Sequence, residues 1–377
     1  MLYLDNAATS WPKPERVYQT ADRALREWSG NPGRAGHKLS TAAGCRVEET
    51  RALLARLFGA PDPAAFAFCL NATDALNLAL KGLLSPGDRV LVSALEHNSV
   101  LRPLHAIGAR VSIVNTSARS GIDLDALETA LKRGAKLAVL NHVSNVTGAE
   151  NPIAEAGRLC RRYGTLLLVD AAQSAGAVPI NVTEMHIDLL AFPGHKSLLG
   201  PQGTGGLYVR QGLGLRPLRE GGTGSRSEEL SQPAEAPGRY ESGTLNTAGL
   251  AALGEGLRVI LEEGVEAIAE REAALTCALL DALAGLEGLR VYGPGAGPAR
   301  RPVVSINVDG MPPSDAAAIL DSSFDIAARA GLHCAPLAHK LLGTAAGGGT
   351  LRLSPGFFTT QDDVCRAAEA LKELRNG

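Results

Sequence analysis

Short apolar segments alternate with helical patterns over the first two-thirds of this chain. The strand-like segments are residues 89–93, 110–114, 136–141 and 165–170. The helical patterns between them are residues 74–83, 124–132 and 154–163. Strands that are apolar on both faces belong to a parallel sheet with helices on each side. The alternation therefore predicts an α/β domain with a mostly parallel sheet covered by helices.

The pattern changes in the last third of the chain. Residues 250–286 read as one or two long helices, with Gly264 as a break between them. Shorter strand and helix patterns follow at residues 302–308, 313–321, 351–354 and 360–375. A length of 377 residues fits two domains. We predict a large domain over residues 1–249 and a smaller C-terminal α+β domain over residues 250–377, with the N-terminal segment packed on the smaller one.

Charge and cysteine content exclude several classes of protein. Lys and Arg number 37 against 39 Asp and Glu, so no basic excess is available to bind nucleic acid. The six cysteines include no Cys-x-x-Cys pair, which argues against a zinc ribbon or a thioredoxin motif, and six in a chain of this length do not make a disulfide scaffold. No apolar run is long enough to span a bilayer, and no signal peptide pattern is visible. A reduced, cytoplasmic protein without a membrane or nucleic acid partner is expected.

Two polar residues stand where this architecture binds ligands. Asp170 ends an apolar strand, and ligands of open parallel sheets bind at the carboxyl ends of the strands. Taken alone, an acid at this point is better explained as a turn or capping residue. Lys196 lies between the apolar run 188–192 and the glycine-rich turn 200–206. A loop lysine is usually solvated, but these neighbours favour a buried amine with a lowered pKa that attacks carbonyl groups.

A phosphate cradle is predicted where residues 71–77 begin a helix. Ala72 and Thr73 are small, and backbone N–H groups at a helix N-terminus can bind phosphate. Capping by Asn71 or Thr73 is the simpler alternative. The glycine clusters 293–297 and 343–349 do not connect a strand to a helix, so they give little support to a dinucleotide site.

The cradle, the strand-end aspartate and the lysine, which follow one another in that chain order, are the three groups that pyridoxal 5'-phosphate needs. Its phosphate must be anchored, its pyridine nitrogen must stay protonated beside a carboxylate, and its aldehyde must be held by an amine. The three groups together are far more specific than any one of them.

These segments resemble the cysteine desulfurase family, which has the class V aminotransferase fold, and the resemblance extends nearly from end to end. The resemblance rests on Tyr3-Leu4-Asp5-Asn6-Ala7-Ala8-Thr9, Glu96-His97-Asn98-Ser99, Ser144-Asn145-Val146-Thr147-Gly148, Val169-Asp170-Ala171-Ala172-Gln173-Ser174, Gly194-His195-Lys196 and Gly243-Thr244-Leu245-Asn246. The segment 329–335, Arg-Ala-Gly-Leu-His-Cys-Ala, resembles the catalytic cysteine segment of the second desulfurase group, which includes the Suf-system enzyme and selenocysteine lyases. The fold implied is that of the fold type I PLP-dependent transferases.

The resemblance also implies a role for each matching residue. Lys196 would bond to the cofactor and move the substrate Cα proton, Cys334 would take the sulfur as a persulfide, and His97 would stack on the ring and relay protons. A thiolate at Cys334 would be favoured beside His333 or an arginine. The cofactor would be held by Ala72, Thr73, His97, Asn145, Asp170, Gln173, His195, Lys196 and, from the neighbouring chain of a homodimer, Thr244. The substrate carboxylate would be held by Asn145, Arg329 and Arg352.

Some positions depart from the family pattern. Gly194 stands where many relatives carry a serine that donates to the phosphate, and Leu332 replaces a polar residue before the His-Cys pair. Residues 343–349 lengthen the path from Cys334 to Arg352. The sulfur acceptor and the substrate range therefore stay open. The histidines at 142, 186 and 339 show no metal-ligand spacing, so no metal site is predicted, and His37 receives no role.

The sequence predicts a PLP-dependent cysteine desulfurase that converts L-cysteine to L-alanine and passes the sulfur to a possible protein acceptor. A selenocysteine lyase, another C–S lyase or an aminotransferase on the same fold is the alternative enzyme. A non-catalytic sulfur-transfer partner or regulator is the alternative from another class, and the presence of both Lys196 and Asp170 counts against it.

Overall fold

The computed structural model describes residues 1–33, 36–224, 227–297 and 299–376. The strands in chain order are β1 (Leu2–Tyr3), β2 (Phe66–Cys69), β3 (Arg89–Val92), β4 (Arg110–Ile113), β5 (Thr116–Ser117), β6 (Gly121–Ile122), β7 (Leu137–Asn141), β8 (Leu166–Asp170), β9 (Leu189–Pro193), β10 (Gly205–Val209), β11 (Leu289–Tyr292), β12 (Val304–Val308), β13 (Ile326–Ala327), β14 (Arg329–Gly331) and β15 (Thr350–Leu353). The helices are α1 (Glu15–Glu27), α2 (Lys38–Leu57), α3 (Ala72–Leu83), α4 (Asn98–Ile107), α5 (Leu124–Leu131), α6 (Ile153–Arg162), α7 (Thr247–Glu263), α8 (Val265–Leu283), α9 (Pro313–Phe324), α10 (Pro336–Leu342) and α11 (Gln361–Asn376). A one-turn 3-10 helix, Pro63–Ala65, precedes β2.

A seven-stranded sheet in the order β2-β10-β9-β8-β7-β3-β4 forms the centre of the larger part. Only β10 runs against its neighbours, and the other pairings in this sheet are parallel. Asn141 pairs with Asp170, so β7 and β8 end level with each other. The expected α/β class with a mostly parallel sheet is confirmed.

The sheet is buried on both faces because the side chains that its strands direct to each face are apolar. Leu167 and Val169 belong to the apolar cluster on one face, and Leu168 belongs to the cluster on the other. Helices α5 and α6 contribute to the first cluster, and α3 and α4 contribute to the second. Each fully buried leucine contributes about 1.5–3 kcal/mol. This packing fixes the strand ends at which the polar residues lie.

A second, four-stranded antiparallel sheet has the order β11-β12-β15-β14. Side chains of α8, α9 and α11 cover it in a separate apolar cluster, which also includes Leu2 and Leu4. Strand β1 pairs in parallel with β13, so the N-terminal segment packs with this C-terminal unit. Helix α7 packs on α1 and α2 and joins the core of the large sheet. The division into residues 1–249 and 250–377 stays a prediction.

Local signals account for where the helices begin and end. Helix α3 begins at Ala72 because the Asn71 side chain caps it by accepting from Asp74 N at 3.0 Å. The long helical pattern divides at Gly264, whose φ of +87° suits glycine. Strand β2 and the β1–β13 pair are absent from the sequence-based prediction, since short segments give little periodic signal. Within the described residues, no helix is long and apolar enough to cross a membrane.

Candidate active site

A cavity of about 260 Å³ lies where β7, β8 and β9 end, with Asn141, Asp170 and Pro193 in its wall. The structure brings eight of the predicted cofactor residues to this one cavity: Ala72, Thr73, His97, Asn145, Asp170, Gln173, His195 and Lys196. The cavity is at the sheet edge where ligands of parallel sheets bind.

Asp170 and Lys196 form the charged centre of the cavity. Asp170 is only 4% exposed, and one of its oxygens accepts a hydrogen bond from Ala172 N at 2.9 Å. Burial raises the pKa of Asp170, while the Lys196 charge opposes that rise. Burial and, secondarily, the Arg352 charge lower the pKa of Lys196 to about 8. An amine that is partly uncharged near neutral pH thus faces a buried carboxyl group.

The N-terminal strap, defined here as residues 2–13, holds the backbone around Lys196. The His195 carbonyl accepts from Thr9 Oγ1 at 3.0 Å, Ser10 N at 3.1 Å and Lys13 Nζ at 2.7 Å. Ser10 Oγ donates to the Lys196 carbonyl at 2.7 Å. Burial lowers the pKa of Lys13 to about 8. The strap therefore fixes the position of the backbone that carries Lys196.

The strap also orients Gln173, one of the predicted cofactor ligands. Gln173 Nε2 donates to the Ala7 carbonyl at 2.9 Å. This bond assigns the nitrogen and oxygen of the Gln173 amide, which lines the cavity. The second hydrogen on Nε2 and the amide oxygen stay available to a bound group.

The phosphate side of the cavity is formed by the N-termini of α3 and α4. His97 caps α4, because its Nδ1 accepts from Ser99 N at 3.0 Å. Ser99 Oγ lies 2.9 Å from His97 Nδ1 and 2.7 Å from Thr73 Oγ1. Burial, followed by the charges of Lys196 and nearby arginines, lowers the pKa of His97 to about 4. His97 is therefore neutral at physiological pH.

His195 is the second neutral histidine of the cavity. Its Nδ1 lies 3.1 Å from Thr9 Oγ1, whose hydrogen is donated to the His195 carbonyl. Burial and the charges of Lys196 and Lys13 lower the pKa of His195 to about 4. The ring can serve a phosphate as a hydrogen-bond partner and not as a fixed positive charge.

Glycine at position 194 is explained by packing. A Cβ atom there would lie 2.2 Å from Thr204 Oγ1 and 3.2 Å from Leu253 Cδ1. Thr204 is fully buried and donates to the Pro201 carbonyl at 2.6 Å. A serine at 194 would thus point at Thr204 and not into the cavity, whose wall does not include position 194.

Arg352 lies on β15 with 1% of its surface exposed. Its Nη2 donates to Asp5 Oδ1 at 2.8 Å, and its Nη1 donates to the Asn145 carbonyl at 3.1 Å. Its Nε has no hydrogen-bond partner among the described residues. Burial lowers the pKa of Arg352, and Asp5 opposes that change. Arg329, opposite Arg352 on β14, is exposed.

Cys334 is exposed and lies between β14 and α10. Its φ is +57° and that of His333 is +46°, a conformation that costs a non-glycine residue about 1–3 kcal/mol. Asn98 N donates to the Cys334 carbonyl at 2.7 Å, and Asn145 Nδ2 donates to the His333 carbonyl at 2.6 Å. These two bonds attach the cysteine segment to the rim of the cavity beside His97.

The His333 ring is buried against the smaller sheet. Its Nε2 donates to the Thr350 carbonyl at 3.1 Å. Burial, with the Arg352 charge next, lowers the pKa of His333 to about 2. His333 therefore carries no charge that could favour a Cys334 thiolate. The sequence led us to expect that His333 or an arginine would favour this thiolate, and His333 is now excluded.

Thr244 is exposed and lies outside the cavity wall of its own chain. The loop before it is anchored by a buried ion pair, in which Arg51 Nη1 lies 2.9 Å from Glu241 Oε1. Thr244 as a ligand for a neighbouring chain's cofactor stays a prediction. His37, which received no role, caps α2 by accepting from Ser40 N at 3.2 Å.

Three residues at the site were not predicted from the sequence: Asp5, Lys13 and Ser99. Asp5 and Lys13 act through contacts that are distant in the chain. Ser99 carried a local signal, because it belongs to the quoted segment Glu96-His97-Asn98-Ser99 and follows a histidine that caps a helix.

Comparison with known proteins gives a consistent result. The profile of the family "Aminotransferase class-V" matches residues 2–366. A probable cysteine desulfurase of Methanothermobacter thermautotrophicus is 32% identical over 381 residues, covering 99% of this chain and 94% of that protein. A probable cysteine desulfurase of Xylella fastidiosa (strain Temecula1) is 34% identical over 388 residues, covering 100% of this chain and 91% of that protein.

Solved structures agree with the sequence comparison. The apo structure of the cysteine desulfurase from Thermococcus onnurineus NA1 has a TM-score of 0.93 at 34% identity and covers 100% of this chain and 95% of that one. The cysteine desulfurase CsdA from Escherichia coli has a TM-score of 0.88 at 29% identity and covers 100% of this chain and 94% of that one.

Proposed function

This chain belongs to the class V aminotransferase family, and from that premise we propose that it is a pyridoxal 5'-phosphate-dependent cysteine desulfurase. The reaction converts L-cysteine to L-alanine and leaves a persulfide on Cys334. One observation carries the proposal: Lys196 and Asp170 share one cavity, and the Cys334 segment is hydrogen-bonded to its rim. The names of the full-length relatives support the same activity.

The residues of the cavity fit this cofactor. The Lys196 amine, whose pKa is lowered by burial, suits its aldehyde, the buried Asp170 carboxylate suits its ring nitrogen, and the N-terminus of α3 with Thr73 suits its phosphate. When bound, the cofactor supplies an electron sink that stabilises negative charge at the substrate Cα.

Lys196 is the group that moves the Cα proton. Its pKa of about 8 lets it accept and return a proton near neutral pH. His97 cannot accept that proton in this arrangement, since its Nδ1 is occupied by Ser99 N–H and its proton therefore lies on Nε2. We assign His97 to stacking on the ring and to donation from Nε2.

The substrate carboxylate is held by Arg352 and Asn145, with Arg329 nearby. Arg352 offers an Nε that has no hydrogen-bond partner in the described part of the chain, and a guanidinium suits a carboxylate because its fork matches both oxygens. Cys334 then attacks the substrate sulfur as a thiolate. The S–S bond forms, the Cβ–S bond breaks, and its electron pair stays on the carbon, which takes up a proton to become the alanine methyl group.

We also assign a homodimeric, cytoplasmic form to the active enzyme. Thr244 can contact a phosphate only if that phosphate lies in the cavity of a second copy of the chain. In a two-fold dimer, each Thr244 would contact the phosphate in the cavity of the other subunit. The persulfide on the exposed Cys334 would pass to an acceptor, for which a protein is the candidate. A fully active monomer in sedimentation at assay concentration would remove the role of Thr244.

The deciding experiment incubates the purified protein with L-cysteine, L-cystine and L-selenocysteine and identifies every product. Alanine with a protein persulfide from L-cysteine supports the desulfurase. Pyruvate and ammonia from L-cysteine or L-cystine would instead indicate a C–S lyase, and alanine from selenocysteine alone would indicate a selenocysteine lyase. No product and no yellow cofactor band would favour a non-catalytic protein.

A further inference from the structure

Ser99 joins the two halves of the cavity. Its hydroxyl lies 2.7 Å from Thr73 Oγ1 on the phosphate side and 2.9 Å from His97 Nδ1 on the ring side. Thr73 and Ser99 are each the second residue of their helices, α3 and α4, and both line the cavity with His97. Hydrogen bonds therefore run without interruption from the proposed phosphate ligand to the proposed stacking residue.

The hydrogens in this chain of contacts have only two arrangements. His97 Nδ1 carries no proton, because it accepts from Ser99 N at 3.0 Å. At 2.7 Å, one hydroxyl hydrogen must lie between Thr73 and Ser99, since two facing lone pairs would repel. Either Thr73 donates to Ser99 and the Ser99 hydroxyl shares the single lone pair of His97 Nδ1 with Ser99 N–H, or Ser99 donates to Thr73 and the Thr73 hydrogen points outward.

An anion at the N-terminus of α3 selects the second arrangement. It needs the Thr73 hydrogen, so the Ser99 hydroxyl must turn from His97 Nδ1 to Thr73 Oγ1. A hydroxyl that accepts a hydrogen bond becomes a stronger donor, because hydrogen bonds in series polarise one another. The His97 ring keeps only its bond from Ser99 N.

We propose that Ser99 is a positioning residue that strengthens phosphate binding by Thr73 and makes His97 respond to that binding. The coupling rests on the proposed function, since it concerns the phosphate of the proposed cofactor. It adds a residue that acts through Thr73 and His97 and was not among the predicted cofactor ligands. It also predicts that the Ser99 hydroxyl contributes to the preference of the cavity for phosphorylated over unphosphorylated pyridoxal.

Nitrogen NMR of protein labelled with ¹⁵N-histidine tests the coupling without turnover. In cofactor-free protein, inorganic phosphate should move the His97 Nδ1 signal towards that of an unprotonated nitrogen with fewer hydrogen bonds. Ser99→Ala should lose this movement, and Ser99→Thr, which keeps the hydroxyl, should restore it. A His97→Asn sample assigns the signal. A movement of equal size in Ser99→Ala would overturn the proposal.

Cofactor binding supplies a second readout. Ser99→Ala should weaken the affinity for pyridoxal 5'-phosphate by ~3- to 10-fold, the loss expected for one hydrogen bond, and should leave the affinity for pyridoxal unchanged. Equal losses for both compounds would show a merely structural role. If the wild-type protein makes alanine but its His97 Nδ1 signal does not respond to phosphate, the coupling is wrong and the proposed function stands. Protein that shows the signal but yields no alanine would overturn the proposed function alone.

Discussion

Asp5 and Arg352 are separated by 347 positions in the chain and form an ion pair with 2.8 Å between Oδ1 and Nη2. The guanidinium is 1% exposed and the carboxylate side chain 21% exposed. The N-terminal strap thus supplies the countercharge for the arginine that is proposed to bind substrate. The same strap holds the carbonyls of His195 and Lys196, so it connects the substrate side of the cavity to its amine.

Loss of this countercharge should destabilise the fold. Asp5→Asn should lower the free energy of unfolding by about 1.5–3 kcal/mol, because a buried guanidinium loses a charged hydrogen bond. The matched control is Asp22→Asn, which removes an exposed ion pair with Arg26 and should leave the free energy of unfolding nearly unchanged. Denaturant unfolding measures both. Equal losses in the two variants would show that burial adds nothing to the Asp5–Arg352 pair.

Lys196→Ala should abolish turnover and keep the cofactor without a covalent bond. The expected loss in kcat is about 100- to 10,000-fold or more, as for removal of a general base that also binds the cofactor. Borohydride reduction of the wild-type protein followed by peptide mapping should place the label on Lys196. The exposed Lys132→Ala is the control and should behave as wild type. A label on any other lysine contradicts the assignment.

Cofactor attachment should depend on pH through Lys196. Its amine is uncharged above a pKa of about 8, whereas a free lysine amine has a pKa of 10.5. The uncharged form is the nucleophile, so the rate of covalent attachment should rise with pH and level off above about pH 8. His97 and His195, with pKa values near 4, add no step in this range. Stopped-flow absorbance measures the rate, with N-acetyl-lysine amide as the reference amine; a midpoint near that of the reference would refute a lowered pKa.

Cys334→Ser should separate sulfur transfer from cofactor chemistry. The variant should keep the cofactor spectrum and lose both alanine formation from L-cysteine and the protein persulfide. Activity on selenocysteine should fall less, because selenium leaves carbon more easily than sulfur does. Cys45→Ser and Cys365→Ser, also exposed, serve as controls. Alanine formation at the wild-type rate by Cys334→Ser would make this cysteine structural.

Gly194→Ser should not improve cofactor binding. Its Cβ would lie 2.2 Å from Thr204 Oγ1, and overpacking of this kind costs about 1–3 kcal/mol. The double variant Gly194→Ser/Thr204→Ala removes the clashing hydroxyl and should recover part of that loss. Denaturant unfolding and cofactor titration measure the two effects. Tighter cofactor binding in the single variant would show that the serine does reach the phosphate.

The sequence predicted the residues whose roles follow from local position. Asp170 was predicted because it ends an apolar strand, and Lys196 because apolar sequence and glycines surround it. The roles of Asp5 and Lys13 were not predicted, because their partners lie 347 and 182 positions away and no periodic pattern encodes such contacts. For His333 a local signal was misleading. Its position beside Cys334 suggested a charged ring, but burial in the smaller sheet makes the ring neutral.

The N-terminal strap has a consequence for the order of folding during synthesis. The strap is synthesised before the central sheet, whereas its partners Arg352, on β15, and Ser354, directly after β15, are synthesised after that sheet. The central sheet can fold while these partners are still missing, because its strands end at Val209. Contacts of such long sequence separation form late. A nascent chain should therefore complete its central sheet before the strap gains its partners Arg352 and Ser354.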